Sequence, residues 1–122
     1  MAAVPLIAVT DDDEAVRIAL SSLMRSLGYS VRTYASGEEF LGSEEKTAIS
    51  CLITDVQMPG MSGIDLQAAL KDQGHAFPII FMTAFAAPHL ERKAKEAGAS
   101  AFLSKPFQAN ALIQEIEAAL GR

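Results

Sequence analysis

Short apolar runs alternate along this chain with longer segments in which apolar residues recur every three or four positions. Runs of apolar and β-branched residues are typical of strands, whereas the wider spacing is typical of amphipathic helices. The runs predict strands at Leu6–Val9, Ser30–Tyr34, Ile49–Thr54, Pro78–Met82 and Ala101–Leu103. The periodic segments predict helices at Val16–Leu27, at Ile64–Leu70, at His89–Ala97 and at Leu112–Leu120, with a short helix capped by Ser36 and Glu39.

Strands and helices therefore alternate strictly, with five of each. Strands that are apolar throughout are buried on both faces, which requires helices on both sides of a parallel sheet. The crossovers between parallel strands are expected to be right-handed. A length of 122 residues fits one domain. We therefore predict an α/β fold, a doubly wound five-stranded parallel sheet, in one domain that covers residues 1–122.

Composition and charge narrow the class of protein. Half of the residues are hydrophobic, and the single cysteine, Cys51, excludes an intrachain disulfide and a cysteine-rich zinc site and fits a reducing compartment. A net charge of -5 repels phosphate backbones, so we expect no direct binding of nucleic acid. The apolar start lacks the basic region of a signal peptide, and no apolar run approaches the ~20 residues that span a bilayer. We expect a soluble, cytoplasmic protein that does not bind membranes.

Reactive residues follow the carboxyl ends of four of the five predicted strands. The first strand is followed by Asp11, Asp12 and Asp13, the third by Asp55, the fourth by Thr83 and the fifth by Lys105. The carboxyl ends of parallel strands lie at one edge of a sheet, where doubly wound folds bind their ligands. We therefore expect carboxylates, a hydroxyl and an ammonium group to converge there.

The residue types at this edge suit phosphoryl transfer. Crowded carboxylates repel one another and need a cation, and hard oxygen ligands without nearby His or Cys favour Mg²⁺ or Mn²⁺. Lys105 and Thr83 could hold phosphoryl oxygens. Asp55 could then be the nucleophile that forms an acyl phosphate.

Each residue also has an ordinary structural interpretation. The acidic residues after the first strand could cap the first helix, and this is the favoured interpretation for Asp13 and Glu14. Taken alone, Asp55 fits a turn, Thr83 a strand and Lys105 a solvated surface. The hypothesis of a site therefore depends on the joint placement of these residues at one edge.

Together with their surrounding segments, these residues resemble those of the response-regulator receiver domains of two-component signalling, and the resemblance extends from about Leu6 to Leu120. Four segments in order carry the resemblance: Asp11–Asp13, Asp55–Gly63 (DVQMPGMSG), Phe81–Ala84 (FMTA) and Phe102–Phe107 (FLSKPF). The segments look most like receivers of the FixJ group, which usually precede a LuxR-type DNA-binding domain. The resemblance implies a flavodoxin-like fold with strand order 2-1-3-4-5. It also implies a phosphoacceptor signalling domain, which assists its own phosphorylation and dephosphorylation, rather than an enzyme.

The resemblance further implies a role for each matching residue. Asp55 would accept a phosphoryl group from the phosphohistidine of a sensor histidine kinase. Asp12 and Asp55 would bind Mg²⁺ directly, and Asp11 would bind it through water. The backbone carbonyl of Gln57 would be a further ligand of the ion.

The remaining roles concern the response to phosphorylation. Lys105, followed by a cis bond to Pro106, would hold a phosphoryl oxygen. Thr83 would move toward the phosphoryl group and Phe102 would turn inward, which would switch the surface of the fourth helix, fifth strand and fifth helix. That surface would control a C-terminal or separate DNA-binding output domain, or a phosphorylation-dependent homodimer. A stand-alone receiver and a receiver cut from a longer regulator both stay open.

Proteins of other functional classes that have a similar sheet carry different sequence motifs. A Mg²⁺-dependent phosphatase similar to haloacid dehalogenases has an Asp-x-Asp-x-Thr pattern after its first strand, and the segment from Asp11 to Ala15 lacks the Thr. A flavin-binding flavodoxin needs a Ser/Thr/Gly-rich loop after that strand, which is absent. The alternative that stays open is a receiver-like module that binds proteins independently of phosphorylation. Such a module would not need the complete set of reactive residues, which this sequence contains: Asp11, Asp12, Asp55, Thr83 and Lys105.

Overall fold

Strands and helices alternate along the described residues of the computed structural model, which are 4–85 and 87–121. Residues 1–3, 86 and 122, which the predicted domain also covers, lie outside the described residues. The strands are β1 (Leu6–Thr10), β2 (Ser30–Tyr34), β3 (Cys51–Asp55), β4 (Ile79–Thr83) and β5 (Ala101–Ser104). The α-helices are α1 (Glu14–Ser26), α2 (Gly37–Leu41), α3 (Gly63–Asp72), α4 (Pro88–Glu96) and α5 (Ala109–Ala119), and a 3₁₀ helix (Glu44–Ala48) lies between α2 and β3.

All five strands are parallel and form one sheet in the order β2-β1-β3-β4-β5. The chain leaves β1 toward β2 and then crosses to β3 on the other side of β1, so the order reverses between β1 and β3. In doubly wound sheets, the crevice outside the carboxyl ends of two such strands is the usual place for a ligand. The predicted fold class and strand order are confirmed.

Apolar layers cover both faces of the sheet. On one face, α1 and α5 pack against the strands through buried side chains such as Met24 and Ile116. On the other face, α2, α3 and α4 contribute buried side chains that include Phe40, Leu66 and Ala94. Every residue of β3 and β4 is buried, as expected for central strands covered on both sides. Among the described residues, no helix is both long and apolar enough to cross a membrane.

Four strands extend further toward the carboxyl edge than their apolar runs predict. Their last residues are Thr10 in β1, Asp55 in β3, Thr83 in β4 and Ser104 in β5. Backbone pairing continues past the apolar residues, since the N–H of Asp11 donates to Tyr34 and that of Val56 to Met82. The polar residues of the predicted site are therefore held by the strand ladder or directly after it.

Two local predictions need correction. β3 begins at Cys51 rather than at Ile49, because an unpredicted 3₁₀ helix ends at Ala48, immediately before Ile49. At α2, the Ser36 side chain accepts a hydrogen bond from the Glu39 N–H, but the Glu39 carboxylate accepts from Ala35 and leaves the capping box incomplete. A complete capping box occurs instead at the start of α3.

Candidate functional site

Three carboxylates meet at the carboxyl edge of β1 and β3. Asp11 and Asp12 directly follow β1, and Asp55 is the last residue of β3. One oxygen from each of the three lies within 4.8 Å of the others. Asp11 is fully buried and Asp55 is 8% exposed, whereas Asp12 is exposed. The cluster therefore has a buried floor and an open side.

Lys105 joins this cluster from the loop after β5. Its ammonium nitrogen lies 3.0 Å from Oδ2 of Asp11 and 3.2 Å from Oδ2 of Asp55, and it donates a hydrogen bond to each. Its backbone N–H donates to the carbonyl of Thr83 at the end of β4, and its bond to Pro106 is cis, as predicted. Residues separated by 94 and 50 positions in the chain are thus brought into direct contact.

Burial and neighbouring charges shift the pKa values of two of these groups. Burial raises the pKa of the Asp11 carboxyl above its usual value, although hydrogen bonds from Asp13 and Lys105 act in the opposite direction. Partial burial alone would lower the pKa of Lys105, but the hydrogen bonds and charges of Asp11 and Asp55 raise it. Lys105 therefore keeps its charge at neutral pH, whereas burial disfavours the charged form of Asp11.

The acidic residues after β1 divide into two roles. Asp13 caps α1, because its side chain accepts a hydrogen bond from the Ala15 N–H at 2.9 Å, and Glu14 lies in the first turn of that helix. The helix-capping interpretation is confirmed for Asp13, and Glu14 lies where a negative charge favours the N-terminal helix dipole. Asp11 instead accepts a hydrogen bond from the Asp13 N–H with Oδ1 and keeps Oδ2 for Lys105. The turn that starts α1 therefore also orients Asp11.

The loop after Asp55 is held close to the end of β3. Oδ1 of Asp55 accepts a hydrogen bond from the Gln57 N–H at 3.2 Å, and the Gly63 N–H donates to the carbonyl of Val56 at 2.8 Å. A Cβ atom at Gly63 would collide with the backbone carbonyl of Asp55, so α3 can start this close to β3 only with glycine. Gln57 thus lies two residues from Asp55 in a fixed turn.

The structure does not bring the other two predicted residues into this cluster. Thr83 is fully buried, and its hydroxyl accepts a hydrogen bond from the Phe85 N–H at 3.0 Å. Within the described residues, it has no hydrogen bond to the three carboxylates. Phe102 is partly buried in β5, with its ring 6.1 Å from that of Phe81 on β4. Both residues lie on strands that follow β3 in the sheet.

The composition of the cluster fits a hard divalent cation. Three carboxylates face a single ammonium group, so two negative charges are uncompensated when all are ionised. All of the side-chain ligands are oxygens, which Mg²⁺ prefers, and the exposed position of Asp12 leaves the cluster open to water. Asp11, Asp12 and Asp55 are therefore suited to hold Mg²⁺, and Mn²⁺ would fit the same donors.

Two contacts near the site have no corresponding pattern in the sequence. Arg17 of α1 donates a hydrogen bond from Nη1 to the backbone carbonyl of Asp11 at 2.7 Å. Glu38 of α2 accepts a hydrogen bond from the backbone N–H of Met61, in the loop after Asp55. Both depend on the way a helix packs against the sheet, which residue spacing alone does not specify.

Comparison with protein families and curated proteins gives a consistent result. The family model for the response regulator receiver domain matches residues 7–117. The chain is 46% identical over 115 residues to the response regulator protein TodT of Pseudomonas putida, an alignment that covers 94% of this chain and 51% of TodT. It is 40% identical over 114 residues to the transcriptional regulatory protein FixJ of Azorhizobium caulinodans, covering 93% of this chain and 54% of FixJ.

Solved structures agree with the sequence comparisons. The crystal structure of FixJ-N superposes with a TM-score of 0.87 at 31% identity and covers 100% of this chain and 97% of that chain. The structure of the response regulator StyR superposes with a TM-score of 0.90 at 41% identity and covers 98% and 60% of the two chains.

The chain belongs to the response regulator receiver domains of two-component systems. Within that family it is most like the FixJ group, as the sequence indicated, and its relatives include transcriptional regulators. The chain spans about half the length of these curated relatives.

Proposed function

We propose that this receiver accepts a phosphoryl group on Asp55 from the phosphohistidine of a sensor histidine kinase, in a Mg²⁺-dependent reaction. An Oδ atom of Asp55 forms the new bond to phosphorus while the phosphorus–nitrogen bond breaks and the histidine takes the electron pair. When bound, Mg²⁺ neutralises charge on the phosphoryl oxygens and on the acidic residues. Asp12 and Asp55 would hold the ion directly, Asp11 through water, and the Gln57 carbonyl would complete the set of protein ligands.

The position of Lys105 is the observation that carries this proposal. Its ammonium group is 3.2 Å from Asp55 Oδ2 and within a cluster of three carboxylates, at the edge where doubly wound folds bind ligands. A charged donor at this position can bind a phosphoryl oxygen as soon as one is attached to Asp55. An acidic cluster alone would explain metal binding but would not need this ammonium group.

The kinase would approach over an apolar depression beside the site. This depression, about 450 Å³ in volume, is lined by α1 residues that include Val16 and Leu20, by Pro106 and Phe107, and by Lys105 at the site itself. Apolar surface next to a charged centre suits a protein partner that delivers a reactive side chain, because its burial stabilises the encounter.

Phosphorylation would then act through Thr83 and Phe102. The Thr83 hydroxyl accepts a hydrogen bond from Phe85 and still has its own proton to donate, so a phosphoryl oxygen on Asp55 offers it a new acceptor. Movement of Thr83 would free space for the ring of Phe102 and change the surface formed by α4, β5 and α5. A local change of charge would in this way become a change of surface shape.

This switch would serve transcription control in the cytoplasm. FixJ is named a transcriptional regulatory protein, and the chain covers only 54% of it, so the rest of such a regulator is the expected output domain. We propose that residues 1–122 are one receiver domain that does not bind nucleic acid itself. Its partners would be the kinase, a DNA-binding output domain, and a second copy of the receiver after phosphorylation.

Intact mass spectrometry tests the proposal directly. After incubation with acetyl phosphate and Mg²⁺, the wild type should gain one phosphoryl group, and neither the EDTA-treated protein nor Asp55→Asn should gain it. If the wild type gains nothing, beryllofluoride binding is measured next. Binding would keep the site and exclude this donor, whereas no binding would favour the phosphorylation-independent interaction module.

A further inference from the structure

The loop between Asp55 and α3 is fixed at both ends by bonds within its own segment. At one end, the Gln57 N–H donates to the Asp55 side chain, and at the other, the Gly63 N–H donates to the Val56 carbonyl. The middle of the loop is different, because there the contact comes from another element. The N–H of Met61 donates a hydrogen bond to Oε2 of Glu38, 23 residues earlier in the chain, at 3.2 Å.

The Glu38 carboxylate lies directly against this loop. A Cβ atom at Gly60 would be only 2.6 Å from Oε2 of Glu38, and the φ of +75° at Gly60 is a conformation that other residues rarely adopt. The neighbouring residue of α2, Gly37, is packed against the Met61 side chain, since a Cβ there would be 3.2 Å from Sδ. The first turn of α2 therefore contacts the loop through both a hydrogen bond and side-chain packing.

Glu39, the next residue of α2, makes no such contact within the described chain. Its Oε2 accepts a hydrogen bond from the Ala35 N–H at 3.3 Å, which stabilises the start of α2 itself. Two adjacent glutamates on one short helix are both exposed but accept hydrogen bonds from different segments of the chain. Of these two glutamates, Glu38 forms the hydrogen bond to the loop that carries Gln57, whereas the hydrogen bond of Glu39 is to Ala35, just before α2.

We propose that Glu38 is a positioning residue, which holds the loop after Asp55 in the geometry that the metal site requires. This inference rests on the proposed function, in which the Gln57 carbonyl of this loop is a ligand of Mg²⁺. Without the hydrogen bond from Met61, the loop gains conformational freedom between Gln57 and Gly63. Ion binding must then also order the loop, which weakens the affinity for Mg²⁺. Glu38 acts through the loop and does not itself reach the three carboxylates.

Three variants separate the hydrogen bond from the charge. Glu38→Ala and Glu38→Gln both remove the negative charge, but the glutamine amide oxygen can still accept from Met61. Glu39→Ala removes the same charge one residue away and leaves the loop contact intact. We expect Glu38→Ala to weaken Mg²⁺ binding by about two- to tenfold, as one exposed hydrogen bond allows. Glu38→Gln and Glu39→Ala should stay within about twofold of the wild type.

Amide resonances measured without metal provide the second readout. In Glu38→Ala, the Met61 amide should exchange faster with solvent, and the Asp55 and Gln57 amide signals should shift, whereas Glu39→Ala should leave all three unchanged. Equal Mg²⁺ affinity in Glu38→Ala and the wild type would overturn the proposal, as would equal weakening in Glu39→Ala. If the wild type itself does not bind Mg²⁺, the proposed function fails. The positioning role is tested separately without metal, because unchanged signals of Asp55 and Gln57 in Glu38→Ala would overturn it.

Discussion

The Asp11 carboxyl has no exposure to solvent and shares Lys105 with Asp55. Burial raises its pKa above the usual 3.8, so the folded protein holds a proton there more readily than the unfolded chain does. Stability contributed by this group therefore falls as pH rises from about the unfolded pKa through the higher folded pKa. Wherever Asp11 is ionised, its buried charge lowers the stability of the fold, and a bound cation would offset that effect.

We predict that Asp11→Asn raises the melting temperature in EDTA and at the same time weakens Mg²⁺ binding. The uncharged amide removes the unfavourable buried charge and also removes an oxygen ligand of the ion. The gain in melting temperature should be larger at pH 7 than at pH 4, because Asp11 is protonated in a larger share of the wild-type protein at the lower pH. Thermal melts at both pH values, with and without Mg²⁺, measure these effects.

Glu117→Gln is the matched control for this prediction. Glu117 is exposed in the last turn of α5, and its replacement should change stability by no more than about 0.5 kcal/mol. The account of Asp11 is wrong if Asp11→Asn lowers the melting temperature in EDTA at pH 7, or if Mg²⁺ stabilises it as much as it stabilises the wild type.

At the scale of elements, the start of α3 packs directly against the end of β3 that carries Asp55. The N–H of Gly63 is bonded to Val56, and the space for a side chain at Gly63 is occupied by the backbone of β3. The Ser62 and Asp65 side chains complete a capping box that fixes the first turn of the helix. β3, the loop and α3 thus form one packed unit around the proposed phosphorylation site.

We predict that Gly63→Ala destabilises the fold by about 1–3 kcal/mol, because α3 must move away from β3 to admit the methyl group. The same movement should slow phosphorylation of Asp55 by acetyl phosphate. Denaturant unfolding and intact mass at timed intervals measure the two effects. Gly42→Ala is the control, since its Cβ would meet its nearest neighbour at an ordinary 3.5 Å and its φ of -80° suits alanine. Equal stability of the two variants would contradict this account of α3.

Much of this architecture could be predicted from residue patterns, for identifiable reasons. Apolar runs mark buried strands such as β4, and strict alternation with helices leads to a parallel sheet, so Asp11, Asp55 and Lys105 were expected at one edge. The 3₁₀ helix at Glu44–Ala48 was missed because none of its residues is buried and it has no apolar period. The contact of Glu38 with the loop could not be predicted either, since it depends on how α2 packs against its neighbours.

At the scale of the whole molecule, the sheet order connects the acidic cluster to a distant surface. β4 lies between β3, which carries Asp55, and β5, which carries Phe102. Thr83 is paired with Ser104 at the ends of β4 and β5. Two residues earlier on each strand, Phe81 is paired with Phe102, and the centres of their rings are 6.1 Å apart. A displacement of Thr83 can therefore reach β5 and the adjoining helices through direct neighbours in the sheet.

The measurement that tests the central claim most directly is a comparison of amide spectra before and after addition of Mg²⁺ and beryllofluoride. In the wild type, signals of α4, β5 and α5 should shift as well as those around Asp55. In Thr83→Ala, the signals around Asp55 should still shift, while those of α4, β5 and α5 should change much less. Shifts confined to the acidic cluster in the wild type, or identical distant shifts in Thr83→Ala, would contradict the proposed switch.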